Sequence, residues 1–269
     1  MRLSLSQIST VSASFAEDVE AYAAAGFDAI GLWEMKLPPD DASNLRLLGS
    51  HGLLVSNCVP TVPSLLPLAI PGMEGPSDLD ERVEAICASI PRLAAYRPDC
   101  VLVLSGPLGE RSEAEGRVIV SDGLRRAAEA ARDAGVRLGF EPIHPAQRET
   151  AGFVTSLADA LALLDEAGLD DVGIMADTFN LGHEDTAAVV EARERFTGLH
   201  VADELPEPEP GVRALPHPGG RSAELVTALR ADGWDGTLDV EIFSTPDAFW
   251  ALPADEAARR AFTAVRALG

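Results

Sequence analysis

Four side chains that can bind a metal ion recur where apolar, strand-like segments end in the second half of the sequence. Glu141 ends GFE, Asp177 ends IMAD, His200 lies in GLHVAD and Glu241 lies in LDVEIF. Three carboxylates and one imidazole suit Mn²⁺, Mg²⁺ or Co²⁺ better than a structural zinc site, with Zn²⁺ as the alternative. Buried carboxylates repel one another unless a cation neutralises them. The pattern therefore predicts one divalent metal ion bound by all four residues.

These side chains belong to an alternation of short β-rich apolar runs and longer helical patterns, as in a parallel β/α protein. Several helical patterns end in glycine, as at Gly26, Gly135 and Gly168, where the helix must stop and the chain reverse. Eight strands are predicted, near Leu3–Ile8, Ala29–Trp33, Leu53–Cys58, Cys100–Leu104, Arg137–Glu141, Val172–Asp177, Gly198–Ala202 and Leu238–Phe243. Eight helices are predicted, at Phe15–Ala25, Ala42–His51, Leu79–Tyr96, Ser112–Ala134, Leu157–Ala167, Thr186–Arg195, Ser222–Asp232 and Ala254–Leu268.

The predicted architecture is α/β, a (β/α)8 TIM barrel that forms a single domain over residues 1–269. Eight units with no GxGxxG after any strand favour a closed barrel over a doubly wound sheet, and a barrel commonly takes about 250 residues. The carboxyl ends of barrel strands open on one mouth, so ligands from strands five to eight should meet there. The long segments 59–78 and 204–220 are predicted to be lids or pocket walls.

The motifs around these residues resemble the xylose isomerase-like TIM barrel superfamily, in its sugar phosphate isomerase/epimerase family, over essentially the whole chain. The resemblance lies in Glu-Pro-x-His-Pro from Glu141, Asp-Thr-x-Asn from Asp177 followed by a histidine, His-x-x-Asp from His200, and Glu241 in the eighth strand. It implies that these four residues bind one divalent metal. It also implies that Glu141 and Glu241 form an acid/base pair that exchanges the substrate proton.

The chemistry implied is proton transfer next to a carbonyl group. Removal of that proton creates an enediolate, which a metal ion stabilises, and a carboxylate on each face can remove and return the proton. The resulting prediction is a metal-dependent isomerase or epimerase of a small sugar, polyol or hydroxy-keto acid. Loss of a β-hydroxyl group instead would make the protein an inosose-dehydratase-like lyase.

Four further residues are predicted to contact the substrate: His144, His183, Arg213 and Glu34. Arg213 lies in RALPHPGG, which resembles the family's Arg-x-x-Pro-Gly-x-Gly loop with two extra residues. Glu34 either receives a substrate hydroxyl group or pairs with Lys36 or an arginine. Lys36 is the only lysine in the chain, so Schiff-base chemistry would depend on it alone.

Asp203 follows His200 by three residues and is predicted to orient either that histidine or a nearby loop. Either role is favoured over direct binding of the metal ion.

The composition limits the classes of partner that the protein is expected to bind. A net charge of −22 disfavours nucleic acid, and an endonuclease IV-like nuclease would also need more metal ligands and a basic groove. A non-catalytic carbohydrate-binding barrel is the remaining alternative. Three cysteines without a zinc motif, no signal-like N-terminus and no apolar run of roughly 20 residues predict a cytoplasmic protein that binds no membrane. The expected partner is a small carbohydrate-like substrate, and barrels of this family often pair as homodimers.

Overall fold

The computed structural model describes residues 1–269 and contains a closed barrel of eight parallel strands. The barrel strands are β1 Arg2–Ser6, β2 Ala29–Trp33, β3 Leu54–Val59, β4 Cys100–Leu104, β5 Leu138–Glu141, β6 Gly173–Asp177, β7 Phe196–Val201 and β10 Thr237–Val240. Two short strands, β8 Asp203–Glu204 and β9 Arg213–Ala214, form a separate antiparallel ribbon. Each barrel strand pairs with its neighbours in the sequence, and β10 closes the ring against β1. The predicted α/β TIM barrel is confirmed.

Eight helices connect the strands, and their ends follow from local chemistry. At the start of α1, Ser14 and Glu17 bond each other's backbone amides in a capping box, and Gly26 ends the helix at a φ of 102°. Ser112, Glu115 and Gly135 do the same for α4. The helices are α1 Phe15–Ala25, α2 Asp41–His51, α3 Leu79–Ala94, α4 Glu113–Ala134, α5 Leu157–Ala167, α6 Thr186–Glu191, α7 Arg221–Ala231 and α8 Ala254–Arg266.

The last barrel strand ends at Val240, three residues before the predicted end at Phe243. The amide of Ile242 donates to Oγ of Ser9 at 2.9 Å, so the backbone here is satisfied by a side chain and not by strand pairing. Glu241 consequently lies just beyond the strand, where the chain begins to turn away from the sheet. The predicted helix Thr186–Arg195 also differs, because its last turn is a 3-10 helix, Ala192–Arg195.

The hydrophobic core has two parts. A large cluster of 59 buried residues fills the space between the strands and the surrounding helices. A smaller cluster of six occupies the barrel interior, and its members are Ile8, Trp33, Val59, Cys100, Leu102 and Met175. Other inward side chains are polar, such as Ser4 and Ser56, whose hydroxyl oxygens lie 2.8 Å apart. The barrel interior therefore contains both apolar and polar side chains.

The two long segments predicted as lids or walls are fastened to the barrel. In segment 59–78, the amides of Leu65 and Leu66 donate to the carbonyl oxygens of Leu104 and Ser105 at the end of β4. The fully buried Arg82 of α3 also donates to carbonyl oxygens of this segment. Segment 204–220 contains β9. None of the helices combines the length and apolarity that crossing a membrane would require.

Candidate metal centre

Glu141, Asp177, His200 and Glu241 converge at the barrel mouth, and each is buried. One ligand atom from each residue can be chosen so that all four lie within 4.8 Å of one another. Glu141 and Asp177 are the last residues of β5 and β6, His200 is the penultimate residue of β7, and Glu241 directly follows β10. Parallel strands deliver their carboxyl ends to the same rim, which is why residues up to a hundred positions apart meet here.

The His200 ring lies between carboxylates on both sides. Its Nδ1 is 3.5 Å from Oε1 of Glu141 and 3.3 Å from Oε2 of Glu241. Its Nε2 is 3.6 Å from Oδ2 of Asp239. Neither ring nitrogen forms a hydrogen bond within the chain. Nδ1 therefore faces the centre of the cluster, and Nε2 faces away from it.

Asp239 is a site residue that the sequence analysis missed. It is 1% exposed, and Nδ2 of Asn57 donates to its Oδ2 at 2.6 Å. In the β7–β10 pairing, Asp239 lies directly opposite His200. The signal was available in the sequence, because residues two apart on a strand share a face and Asp239 precedes Glu241 by two.

Two neutral side chains hold the glutamates in place. Asn180 donates from Nδ2 to Oε1 of Glu141 at 3.0 Å. Ser6 donates to Oε1 of Glu241 at 3.4 Å, and its own oxygen accepts from Nε1 of Trp33 at 3.0 Å. Asn180 belongs to the Asp-Thr-x-Asn motif, but the sequence alone assigned it no role. These bonds limit the rotation of both carboxylates without adding charge.

Arg213 is the one cation of the cluster and is 7% exposed. Its Nη1 lies 2.6 Å from Oε2 of Glu241 and 2.9 Å from Oδ2 of Asp177. The guanidinium carbon lies 5.1 Å and 4.9 Å from the ring centres of Phe179 and Phe243. Two aromatic faces and two carboxylates thus hold the guanidinium group, which offsets one of the three ligand charges.

The pKa shifts show that this compensation is incomplete. Burial raises the pKa of Glu141 to about 7, with His200 opposing the shift and Glu241 and Asp177 adding to it. Burial also raises the pKa of Asp177, although Arg213 opposes the rise. Burial alone would lower the pKa of His200, but the surrounding carboxylates, Glu241 foremost, outweigh it and raise that pKa well above its usual value. Without a bound cation, the buried carboxylates therefore favour protons on Glu141, Asp177 and His200.

The residues fit a divalent metal ion. Two buried atoms that could bind a metal form no hydrogen bond in the chain: Nδ1 of His200, and Oδ2 of Asp177, which has only the ion-pair contact with Arg213. Three carboxylates and an imidazole are ligands of Mn²⁺, Mg²⁺, Co²⁺ and Zn²⁺. A divalent cation would bind these two atoms and relieve the repulsion among the carboxylates.

A cavity of about 610 Å³ opens above this cluster, and Glu141, Arg213 and Glu241 line it. Segment 59–78 supplies one wall and segment 204–220 part of another. The volume lies within the usual range for small-molecule sites, which is roughly 300–1,000 Å³.

The predicted substrate contacts His144 and His183 lie near the cluster but do not line this cavity. Their ring centres are 6.0 Å apart, and the His144 ring lies 5.2 Å from the ring of Phe179. Nε2 of His144 is 3.4 Å from Glu204, and Nε2 of His183 is 3.6 Å from Glu184. The two histidines thus lie close to each other, and His144 packs against Phe179, outside the cavity lining.

Glu34 also lies outside the cavity lining. Its carboxylate accepts from the amide of Thr61 at 2.9 Å and lies 3.5 Å from Nη1 of Arg92. Of the two ion pairs expected for Glu34, the structure contains the one with an arginine. Lys36 instead lies 2.6 Å from Oδ2 of Asp18. Lys36 is thereby held away from the candidate site.

Asp203 orients a nearby loop and does not orient His200. It accepts from the amide and hydroxyl of Ser222 at 2.8 Å each and from the amide of His217 at 3.0 Å. These bonds anchor the segment that leads into α7, while Asp239 is the carboxylate behind His200.

Residues 19–268 match the family described as xylose isomerase-like TIM barrel. The chain belongs to this family. Among solved structures, the protein SMc04130 from Sinorhizobium meliloti 1021 has a TM-score of 0.84 at 23% identity, covering 98% of this chain and 97% of that one. The IolI protein, solved with a zinc atom, has a TM-score of 0.80 at 17% identity, covering 100% and 98%.

A third similar structure is the 3-keto-D-glucoside 4-epimerase YcjR from E. coli, with a TM-score of 0.77 at 20% identity over 99% of both chains. No curated protein matches the sequence. At these identities the likenesses to solved structures establish a shared fold, and the chemistry of this xylose isomerase-like barrel depends on its own residues.

Proposed function

We propose that this chain is a divalent-metal-dependent isomerase or epimerase that moves a proton next to the carbonyl group of a small hydroxy-carbonyl compound. The observation that carries the proposal is the buried cluster of Glu141, Asp177, His200 and Glu241, whose ligand atoms lie within 4.8 Å at the floor of a cavity. Structural neighbours include epimerases of 3-keto-D-glucoside and D-allulose, which supports an enzyme of this general type.

These four residues would hold the metal ion. When bound, the ion supplies polarisation of the substrate's carbonyl and hydroxyl oxygens, and so favours negative charge on them. The donor set favours Mn²⁺, Mg²⁺ or Co²⁺, and the zinc atom in the IolI structure keeps Zn²⁺ within the set.

Glu141 and Glu241 exchange the proton. They come from different strands, and both line the cavity. One carboxylate takes the proton from the carbon next to the carbonyl, and a carboxyl group returns a proton to the same or the adjacent carbon. Return to the same carbon from the opposite face is epimerisation, and return to the adjacent carbon is isomerisation. Asn180 and Ser6 hold the two glutamates in orientation for this transfer.

Arg213 is proposed to contact substrate oxygens. It lines the cavity, and its Nε forms no hydrogen bond within the chain although it is buried. A guanidinium group so placed can donate to an oxygen that becomes negative during proton transfer. His144 and His183 stay predictions as substrate contacts, and so does Glu34.

The test is solvent exchange combined with metal analysis. The Mn²⁺-loaded protein in D₂O should exchange a carbon-bound hydrogen of a hydroxy-ketone such as dihydroxyacetone, followed by proton NMR. Glu241→Gln should slow exchange by at least about 10²-fold and lower the bound metal, whereas the exposed Glu207→Gln should change neither. Full activity and full metal content in Glu241→Gln would refute the proposal. Loss of water from the substrate without exchange would instead indicate a lyase.

A further inference from the structure

The cavity above the metal centre has a mainly apolar wall. Of its 27 lining residues, 16 are hydrophobic, and only six have polar side chains. Those six are Glu141, Gln147, Thr150, Arg213, Glu241 and Ser244. Three of them, Glu141, Arg213 and Glu241, belong to the charged cluster at the floor. The walls proper therefore carry three polar side chains.

Two of these three wall residues already form a hydrogen bond within the chain, which reduces the number left for the hydroxyl groups of a ligand. The Thr150 hydroxyl group donates to the carbonyl oxygen of Gln147, and Oγ of Ser244 accepts from the amide of Phe249. The Gln147 amide is the one wall group without a hydrogen bond inside the chain. A free sugar carries a hydroxyl group on nearly every carbon, and each one buried here without a partner weakens binding.

The apolar wall is aromatic and continuous with the small cluster inside the barrel. Phe243 lies between two tryptophans, with ring centres 5.9 Å from Trp33 and 6.2 Å from Trp250. Val11 and Met73 pack against the same cluster while remaining half-buried. Rings at these separations and tilts offer faces and edges to a further planar ring.

The charges of the cavity disfavour a phosphorylated substrate. Arg213 is its only cation, and Glu241 and Asp177 already hold it. The chain's only lysine, Lys36, is paired with Asp18 outside the cavity. The charge of Arg213 is thus already balanced by two carboxylates, which would also repel a phosphate group placed near the floor.

Hydrogen bonds within the fold hold the cavity wall in place. The amide of Ala69 donates to the carbonyl oxygen of Thr150 at 2.9 Å, which joins segment 59–78 to the opposite side of the cavity. Arg82 donates to the carbonyl oxygens of Ser64, Glu74 and Pro76, on both sides of the wall residues 68–73. A fully buried arginine that bonds only this segment fixes its path.

We propose that the natural substrate is a vicinal hydroxy-carbonyl compound with an uncharged apolar body, most simply an aromatic ring, and not a free or phosphorylated sugar. The inference about the hydroxy-carbonyl end of the substrate rests on the function proposed above, whereas the inference about its apolar body rests on the cavity wall. The carbon–hydrogen bond next to the carbonyl breaks, its proton passes to a glutamate, and its electron pair remains in the enediolate until a proton returns. No oxidant or co-reactant is consumed.

Calorimetric titration of metal-depleted protein tests the body of the substrate without any reaction. The probes are 2-hydroxyacetophenone, which has a phenyl ring beside a hydroxy-ketone, and two polyols, dihydroxyacetone and D-fructose. We expect the phenyl compound to bind at least tenfold more tightly than either polyol. Equal or tighter binding of a polyol would overturn the proposal.

Two substitutions test whether the preference for the phenyl compound arises from the cavity wall. Val11→Thr and Met73→Gln keep side-chain volume and add hydrogen-bonding groups, so together they should weaken binding of the phenyl compound at least fivefold and leave polyol binding unweakened. Val118→Thr, on the exposed surface of α4, is the matched control and should change neither. Unfolding midpoints equal to that of the parent protein establish that the variants fold. An unchanged preference in the double variant would refute the assignment to this wall.

Solvent exchange separates this proposal from the proposed function. With Mn²⁺ and D₂O, exchange of the hydrogens beside the carbonyl of 2-hydroxyacetophenone, faster than of dihydroxyacetone, supports both. Tight binding of the phenyl compound with no exchange of any probe supports the substrate class and rejects the reaction. Exchange that is faster on the polyols supports the reaction and rejects the substrate class.

Discussion

At the scale of single residues, the two ring nitrogens of His200 have different surroundings. Nδ1 of His200 faces Glu141 and Glu241, whereas Nε2 faces Asp239, which is itself held by Asn57. A carboxylate behind a metal-binding histidine sets which ring nitrogen carries the proton and how the ring is turned. Nδ1 is therefore the nitrogen available to a metal ion.

Asp239→Asn should raise the dissociation constant for Mn²⁺ by about 10–100-fold, because the neutral amide no longer favours a proton on Nε2. Titration against a competing chelator measures the change. Asp203→Asn is the control, since Asp203 bonds the segment before α7 and not His200. A dissociation constant in Asp239→Asn within twofold of the parent's would contradict this role.

At the scale of elements, the cavity wall depends on a close crossing of two chain segments. Gly106, just after β4, has a φ of 74°, and a Cβ atom there would lie 2.1 Å from the carbonyl oxygen of Leu66. The conformation disfavours any other residue, and the backbone contact leaves no room for one. Segment 59–78 can lie against β4 only because this position is glycine.

Gly106→Ala should lower the free energy of unfolding by at least about 2 kcal/mol, since it adds a backbone clash to an unfavourable φ. Gly135→Ala is the matched control, because Gly135 has a φ of 71° but no atom within 4 Å of the added Cβ. That variant should lose only about 1 kcal/mol. Urea unfolding measures both, and equal losses would show that the crossing does not constrain the wall.

A buried ion pair joins α1 to the turns after β1 and β2. Nζ of Lys36 lies 2.6 Å from Oδ2 of Asp18 and also donates to the carbonyl oxygens of Gln7 and Thr10. Asp18 further accepts from the side chains of Gln7 and Thr10. The chain's only lysine thus fastens structure at the barrel mouth.

Asp18 makes stability depend on pH. Burial raises its pKa from 3.8 to about 6, against the opposing pull of Lys36. The folded protein therefore binds this proton more tightly than the unfolded chain does. The stabilisation is complete below about pH 4 and is lost as the pH rises through about 6. Relative to Asp18→Asn, the parent protein should lose on the order of 3 kcal/mol between pH 4 and 7. Parallel pH profiles in urea unfolding would contradict this.

At the scale of the whole molecule, the candidate metal centre joins four barrel strands, so metal binding should stabilise the entire fold. Mn²⁺ at about 100 times its dissociation constant should add about 2.7 kcal/mol, or roughly 5–10 °C in Tm for a chain of this size. A chelator should reverse the gain, and Glu141→Gln should abolish it. Differential scanning calorimetry measures each midpoint, and equal gains in both proteins would exclude binding at this cluster.

The barrel was predictable because its signals are local. Periodicity located the eight helices and strands, and glycines such as Gly26 and Gly135 marked helix ends to within a few residues. The strand ends then placed Glu141, Asp177 and Glu241 at a common rim. The prediction was less accurate after Val240, where the contact that ends the strand comes from Ser9, more than two hundred residues earlier.

The sequence by itself determined the fold and the four acidic and imidazole groups at the mouth, because hydrophobic period, helix caps and strand ends are properties of neighbouring residues. Only the tertiary structure decided that Asp239 and not Asp203 stands behind His200, that Glu34 pairs with Arg92, and that Arg213 lies between two phenylalanine rings. It also decided that the cavity wall is apolar. These properties arise from contacts between segments far apart in the chain, whose partners no local pattern specifies.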